Sequence, residues 1–140
     1  MANALYTNYK NKLLGNGTHA LADWDTDDIR ATLTDHAVDT PVVATDQDYA
    51  DISAGEIANT GATIAGAALC TISAGGVDID DFAFATVSGD PAESITFYLY
   101  DATPTIAALL VFIDTATGLP ITPNGADINV VIDASGLFTF

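Results

Sequence analysis

The chain has 140 residues, 3 of them Lys or Arg and 19 Asp or Glu, which gives a formal charge of −16. That length implies one domain, and a hydrophobic share of 49% excludes a disordered acidic tail. Lys10, Lys12 and Arg30 are too few to make a basic footprint, so nucleic acid is excluded as a partner; the same negative surplus repels anionic lipid headgroups.

The acids have an uneven make-up. All are Asp except Glu56 and Glu93, and Thr is abundant beside them. Asp favours turns and caps, Glu favours helix interiors and Thr favours strands, so the composition points to a β-rich fold with little helix. Residues 1–14 carry their Lys after the first apolar positions and lack a continuous apolar core, so they do not read as a secretory signal. The longest uncharged run, residues 57–77, is long enough to span a bilayer but is rich in Gly, Thr and Asn. It reads as a pair of strands in a soluble domain.

In chain order, residues 2–14 set Leu5, Tyr6, Tyr9, Leu13 and Leu14 at helical spacing, with Lys10 and Lys12 near the end where cations suit the helix dipole. Gly15-Asn16-Gly17 stops that helix and supplies a hinge, so residues 1–17 are expected as a helical arm on a β-domain of residues 18–140. Residues 29–34 alternate Ile29, Ala31 and Leu33 with Arg30, Thr32 and Thr34, the pattern of a half-buried strand. Residues 35–55 read as a long loop with one helical turn at 49–52.

Further strands are expected at 63–73, closed by Gly75-Gly76, and at 81–87, closed by Ser88-Gly89-Asp90-Pro91. Residues 94–101 place Ile95, Phe97 and Leu99 on one face and Thr96, Tyr98 and Tyr100 on the other. Residues 106–113 are apolar on both faces, as in a central strand. Pro120, Pro123 and Asn124-Gly125 mark a turn region before strands at 128–133 and 137–140. The expected fold is all-β, an antiparallel β-sandwich or squat barrel with a short N-terminal α-helix.

No chemistry emerges from the motifs. Asp23, Asp25 and Asp27 sit at calcium-loop spacing, but Asp28 stands where glycine is required and Thr34 where the bidentate Glu belongs. The segment reads as a solvated turn. Asp78 and Asp80 share a strand face without an apolar pocket to split their pKa values. His19 and His36 lack ligand spacing, no nucleophile elbow occurs, and Cys70, the only cysteine, reads as a buried thiol. Gly61 and Gly66 have phosphate-loop spacing, but Ala67 and Ala68 follow where Lys and Ser or Thr are needed. No catalytic residue, cofactor or metal is therefore expected. The candidate sites are partner contacts: Leu5, Tyr9 and Leu13 on the helix stripe, and Tyr98 and Tyr100 on a strand face turned to solvent, a subunit contact or, alternatively, a sugar platform.

With the strands in order, the chain resembles a family of small virion structural proteins of tailed bacteriophages. The resemblance runs through Ala4-Leu5-Tyr6, Leu13-Leu14-Gly15, Asp27-Asp28-Ile29-Arg30, Leu33-Thr34-Asp35, Gly76-Val77, Asp81, Phe84 and Val87-Ser88-Gly89-Asp90. It is strongest at Asp114-Thr115-Ala116-Thr117-Gly118-Leu119-Pro120-Ile121-Thr122-Pro123-Asn124-Gly125-Ala126-Asp127-Ile128. It implies a head decoration (cement) protein on the outer face of the capsid, made in the host cytoplasm. Its partners would be the major capsid protein and its own copies, as a homotrimer. A tail or fibre component and a carbohydrate-binding module are the alternatives. The chain departs from the family pattern in the more acidic loop at residues 36–51.

Overall fold

Two six-residue strands, Ile29–Thr34 and Ser94–Leu99, form the centre of the fold, paired antiparallel from Ile29 opposite Leu99 to Thr34 opposite Ser94. Both are dense in β-branched and aromatic residues, which suit a pleated surface. The computed structural model describes residues 3–65, 69–73 and 75–139. In chain order these form β1 (Ala4–Leu5), α1 (Thr7–Leu13), β2 (Ile29–Thr34), β3 (Glu56–Asn59), β4 (Cys70–Ser73), β5 (Gly76–Ile79), β6 (Phe82–Phe84), β7 (Ser94–Leu99), β8 (Leu109–Ile113), β9 (Ile128–Val130) and β10 (Phe138–Thr139). Short 3₁₀ turns occupy Tyr49–Asp51, Ser53–Gly55 and Pro104–Ile106.

The strands pair into three antiparallel sheets, ordered β1-β8-β7-β2-β3, β10-β5-β4 and β6-β9. The all-β expectation with one short helix holds, and the sheets stay open, so the squat-barrel alternative does not form. No helix among the described residues is long and apolar enough to cross a membrane.

One face of the five-stranded sheet carries Ile29, Ala31, Leu33, Ile95 and Phe97, all buried. The smaller sheets close over it. Phe82 meets Phe97 edge-on at 5.8 Å between ring centroids, and Trp24 lies 6.5 Å from Phe97 and 5.5 Å from Phe138. Each such side chain taken fully out of water contributes about 1.5–3 kcal/mol. Gly76 admits β10 at close range, because a Cβ there would sit 2.8 Å from the Thr139 methyl.

The opposite face was expected to be polar and open, and here the structure corrects the reading of β2 and β7 as half-buried. Thr32, Thr34, Ser94 and Thr96 are buried as completely as the apolar side. Residues 35–55 form the cover. The His36 ring stacks on Phe112 and its Nε2 lies 2.8 Å from Ser94 Oγ, while Tyr49 stacks on Tyr98 at 4.7 Å. A stretch that reads as loop is thus a packing layer.

Several boundaries also shift. Glu56–Asn59, which follows the loop expected at 35–55, forms the β3 edge, and Gly76–Ile79, which starts within the Gly75-Gly76 pair expected to close the preceding strand, forms β5. The strand expected at 63–73 begins only at Cys70; Thr63 instead accepts the Ile29 N–H at 3.2 Å, and the Ile64 N–H donates to the Ile29 carbonyl at 2.8 Å. The rest of that expectation, at 66–68, lies outside the described residues, as do Ala2 and Phe140.

The N-terminal arm is corrected most. Ala4 and Leu5 are extended, opposite Phe112 and Val111 of β8, and only Thr7–Leu13 is helical. Tyr6 between them is fully buried, 6.3 Å from the Phe112 ring, and its N–H donates to the Leu110 carbonyl at 3.0 Å. Extending the chain at Ala4 and Leu5 completes a sheet edge, whereas a helix there would leave the β8 backbone groups unpaired.

Candidate interaction surface

The five residues expected to contact partners do not share one surface. Leu5 is half-buried in β1. Tyr9 is buried, and its hydroxyl accepts a hydrogen bond from Trp24 Nε1 at 2.9 Å, which fastens α1 to the core. Leu13 is 36% exposed at the helix end, next to the fully open Leu14. Beyond them the expected hinge folds back: the Asn16 N–H donates to the Asn11 carbonyl at 2.7 Å, and Thr18 Oγ1 donates to Gln47 at 3.0 Å.

The tyrosine face is divided too. Tyr98 is only 3% exposed, which corrects the expectation of a solvent-facing stripe and removes half of any sugar platform. Tyr100 is 39% exposed, and the Arg30 guanidinium already covers its ring at 3.4 Å from the centroid. Asp28 holds Arg30 in that place through two hydrogen bonds, of 3.1 and 2.8 Å.

What buries Tyr98 is a polar cluster built on one carboxylate oxygen. Glu56 Oε2 accepts hydrogen bonds from Thr32 Oγ1 at 2.7 Å, from Asn59 Nδ2 at 3.0 Å and from the Tyr49 hydroxyl. Asn59 Nδ2 also lies 2.6 Å from the Tyr98 hydroxyl. Burial first, then the nearby Glu56 carboxylate, pushes the Tyr49 phenol well above its ordinary range, and burial also raises Tyr98. This network ties the 3₁₀ turns and β3 to the central sheet. Its donors are neutral and its acceptor is saturated, the arrangement of a structural pin.

The acids of the 23–28 turn are engaged locally. Asp27 accepts the Asp23 N–H at 2.8 Å and Asp23 accepts the Asp25 N–H at 3.1 Å, so carboxylates cap their own backbone. Among the described residues, no group of three or more His, Cys, Asp or Glu side chains is placed to hold a metal ion. The Ser94 hydroxyl beside His36 is fully buried.

The feature that sequence reading missed lies around residues 114–131. The loop is pinned at several points: Ile121 and Ala92 exchange backbone hydrogen bonds at 2.9 Å each, the Gly125 N–H donates to the Val87 carbonyl at 2.8 Å, and Asp127 accepts the Thr86 N–H at 2.7 Å. Between this loop and β9 opens an apolar groove of about 390 Å³, floored by Leu33 and Ile95 and walled by Leu119, Ile121, Ile128 and Val130. Val131 stands 76% exposed at its rim. The Pro and Asn-Gly signals announced a turn here, but nothing local announced that Leu33 and Ile95, two strands away in sequence, would meet it. No protein-family model matches the chain, and comparison with curated proteins finds no match.

Proposed function

We propose that this chain is a structural protein of a tailed-bacteriophage virion, a decoration protein that sits on the outer face of the capsid and stabilises the head by bridging capsid subunits. The observation that carries the proposal is the stretch from Asp114 to Ile128, where the resemblance to small virion proteins is most specific and where the loop is pinned and largely exposed. A charge of −16 supports an outer position, since it would oppose contact with packaged nucleic acid. Interiors spent on packing, with polar groups engaged in capping and pinning, suit a part whose work is to hold other parts together.

Two measurements test this. Counting copies in purified particles by quantitative mass spectrometry should give hundreds per virion; a handful or a few dozen would place the protein in the tail. Recombinant protein added to particles stripped of it should rebind and raise the temperature at which the heads rupture. Failure to rebind would overturn the proposal.

A further inference from the structure

Protein chains protect the open edges of their sheets with charge, with proline or by keeping the edge strand very short. Most described edges here follow that rule. β1 and β10 have two residues each, β3 carries Glu56, and the β6-β9 ribbon is flanked by Asp81 and Asp127. β4 does none of this. Its four residues, Cys70–Ser73, lie at the edge of the three-stranded sheet within the uncharged run 57–77, and Thr71, Ile72 and Ser73 are all exposed.

The ladder decides which backbone groups face outward. β4 pairs β5 with Thr71 opposite Asp78 and Ser73 opposite Gly76, and the Asp80 N–H donates to the Leu69 carbonyl at 2.8 Å. In an antiparallel pair the bonded positions alternate, so 69, 71 and 73 turn their N–H and C=O groups to β5. Ile72 therefore turns its own pair away, and its side chain is 57% exposed.

We propose that the outer edge of β4 is a self-association surface, on which two copies pair antiparallel about Ile72 and join their three-stranded sheets into one of six. Charge selects a second copy as the occupant. β4 itself carries no charged side chain, and two molecules of charge −16 meet at least cost where neither facing strand carries charge. The nearest acid, Asp78 on β5, would lie about three strand spacings, or roughly 14 Å, from its own copy. That exceeds the Debye length of about 8 Å at physiological ionic strength. In this register Ile72 faces Ile72 of the second copy, and Thr71 faces Ser73, a favourable cross-strand pair. The contact is smaller than the ~1,200 Å² of a standard interface, so it is reversible and depends on concentration. It is two-fold, unlike the homotrimer that the phage resemblance implies.

Sedimentation of the isolated protein tests this without reference to any particle. The mass should rise from 14.4 kDa towards twice that value between micromolar and millimolar protein, and do so at lower concentration when salt is raised. Ile72→Pro removes an N–H that the fold does not use, and Ile72→Asp sets like charges opposite each other. Both should stay monomeric, with an unchanged circular dichroism spectrum, over a tenfold wider concentration range. A wild-type protein that remains monomeric at millimolar concentration overturns the proposal. So does association, as a dimer or a trimer, that survives in Ile72→Asp.

Discussion

Replacing Glu56 by Ala removes the acceptor on which the cover over the central sheet depends. The three donors to Glu56 Oε2 are not affected equally. Asn59 keeps the Tyr98 hydroxyl at 2.6 Å, and Thr32 Oγ1 can turn wholly to the Ala58 carbonyl at 3.1 Å. The Tyr49 hydroxyl, which donates to Glu56, is left without an acceptor for its proton beneath the turn. An orphaned donor costs about 1–3 kcal/mol, and a hydrogen bond to a charged acceptor is worth about 1.5–3 kcal/mol. With part of the loss recovered by Thr32 and Asn59, the net destabilisation comes to roughly 2–3 kcal/mol. At about 2.1 cal/mol/K per residue of unfolding entropy, a chain of this length loses about 3–4 °C of Tm per kcal/mol. Calorimetry should therefore show Tm lower by roughly 7–10 °C. Tyr49→Phe, which deletes only the donor, should cost less, and the double variant should cost less than the two singles added, since they break one interaction. A Tm within about 2 °C of wild type for Glu56→Ala would refute the view that this network holds residues 49–59 on the sheet.

Leu5→Asp places a charge in β1 beside Val111 of the central sheet, so it should weaken the whole fold and not merely detach an arm; thermal melting that leaves the β-sheet signal and Tm intact would contradict the observed docking. Alkaline pH should also unfold the protein. Tyr6, Tyr9, Tyr49 and Tyr98 all have raised pKa values, chiefly from burial, so the folded state holds their protons after the unfolded chain would release them near pH 10. Stability present below that pH is lost as pH climbs from the unfolded towards the folded values, by up to about 1.4 kcal/mol per pH unit for each tyrosine. Phenolate absorbance should appear together with loss of sheet structure; ionisation of all the tyrosines near pH 10 in a still-folded protein would refute this.

Composition and short-range pattern were enough to establish an all-β chain with a short helix, the strand at Ile29–Thr34 with its exact bounds, and the helical turn at Tyr49–Asp51. These are local properties: alternation of side chains, the β-preference of Thr and Ile, and an Asp48 side chain that caps the turn by accepting the Ala50 N–H. The departures from calcium-loop spacing at Asp28 and Thr34 are likewise legible in the sequence. Which surfaces stay open is a different kind of property. Alternation along β7 shows that Tyr98 lies opposite Phe97, yet its burial depends on Tyr49 and Glu56 being brought onto that face from far away in sequence. Ala4 and Leu5 fit a helix by spacing, but the unpaired backbone of β8 draws them into a strand. The groove beside residues 114–131 exists only because Leu33 and Ile95 floor it. Short-range preferences of a few tenths of a kcal/mol per residue yield to the burial of aromatic rings and the pairing of backbone groups, each worth more and each decided by residues that meet only in the folded chain.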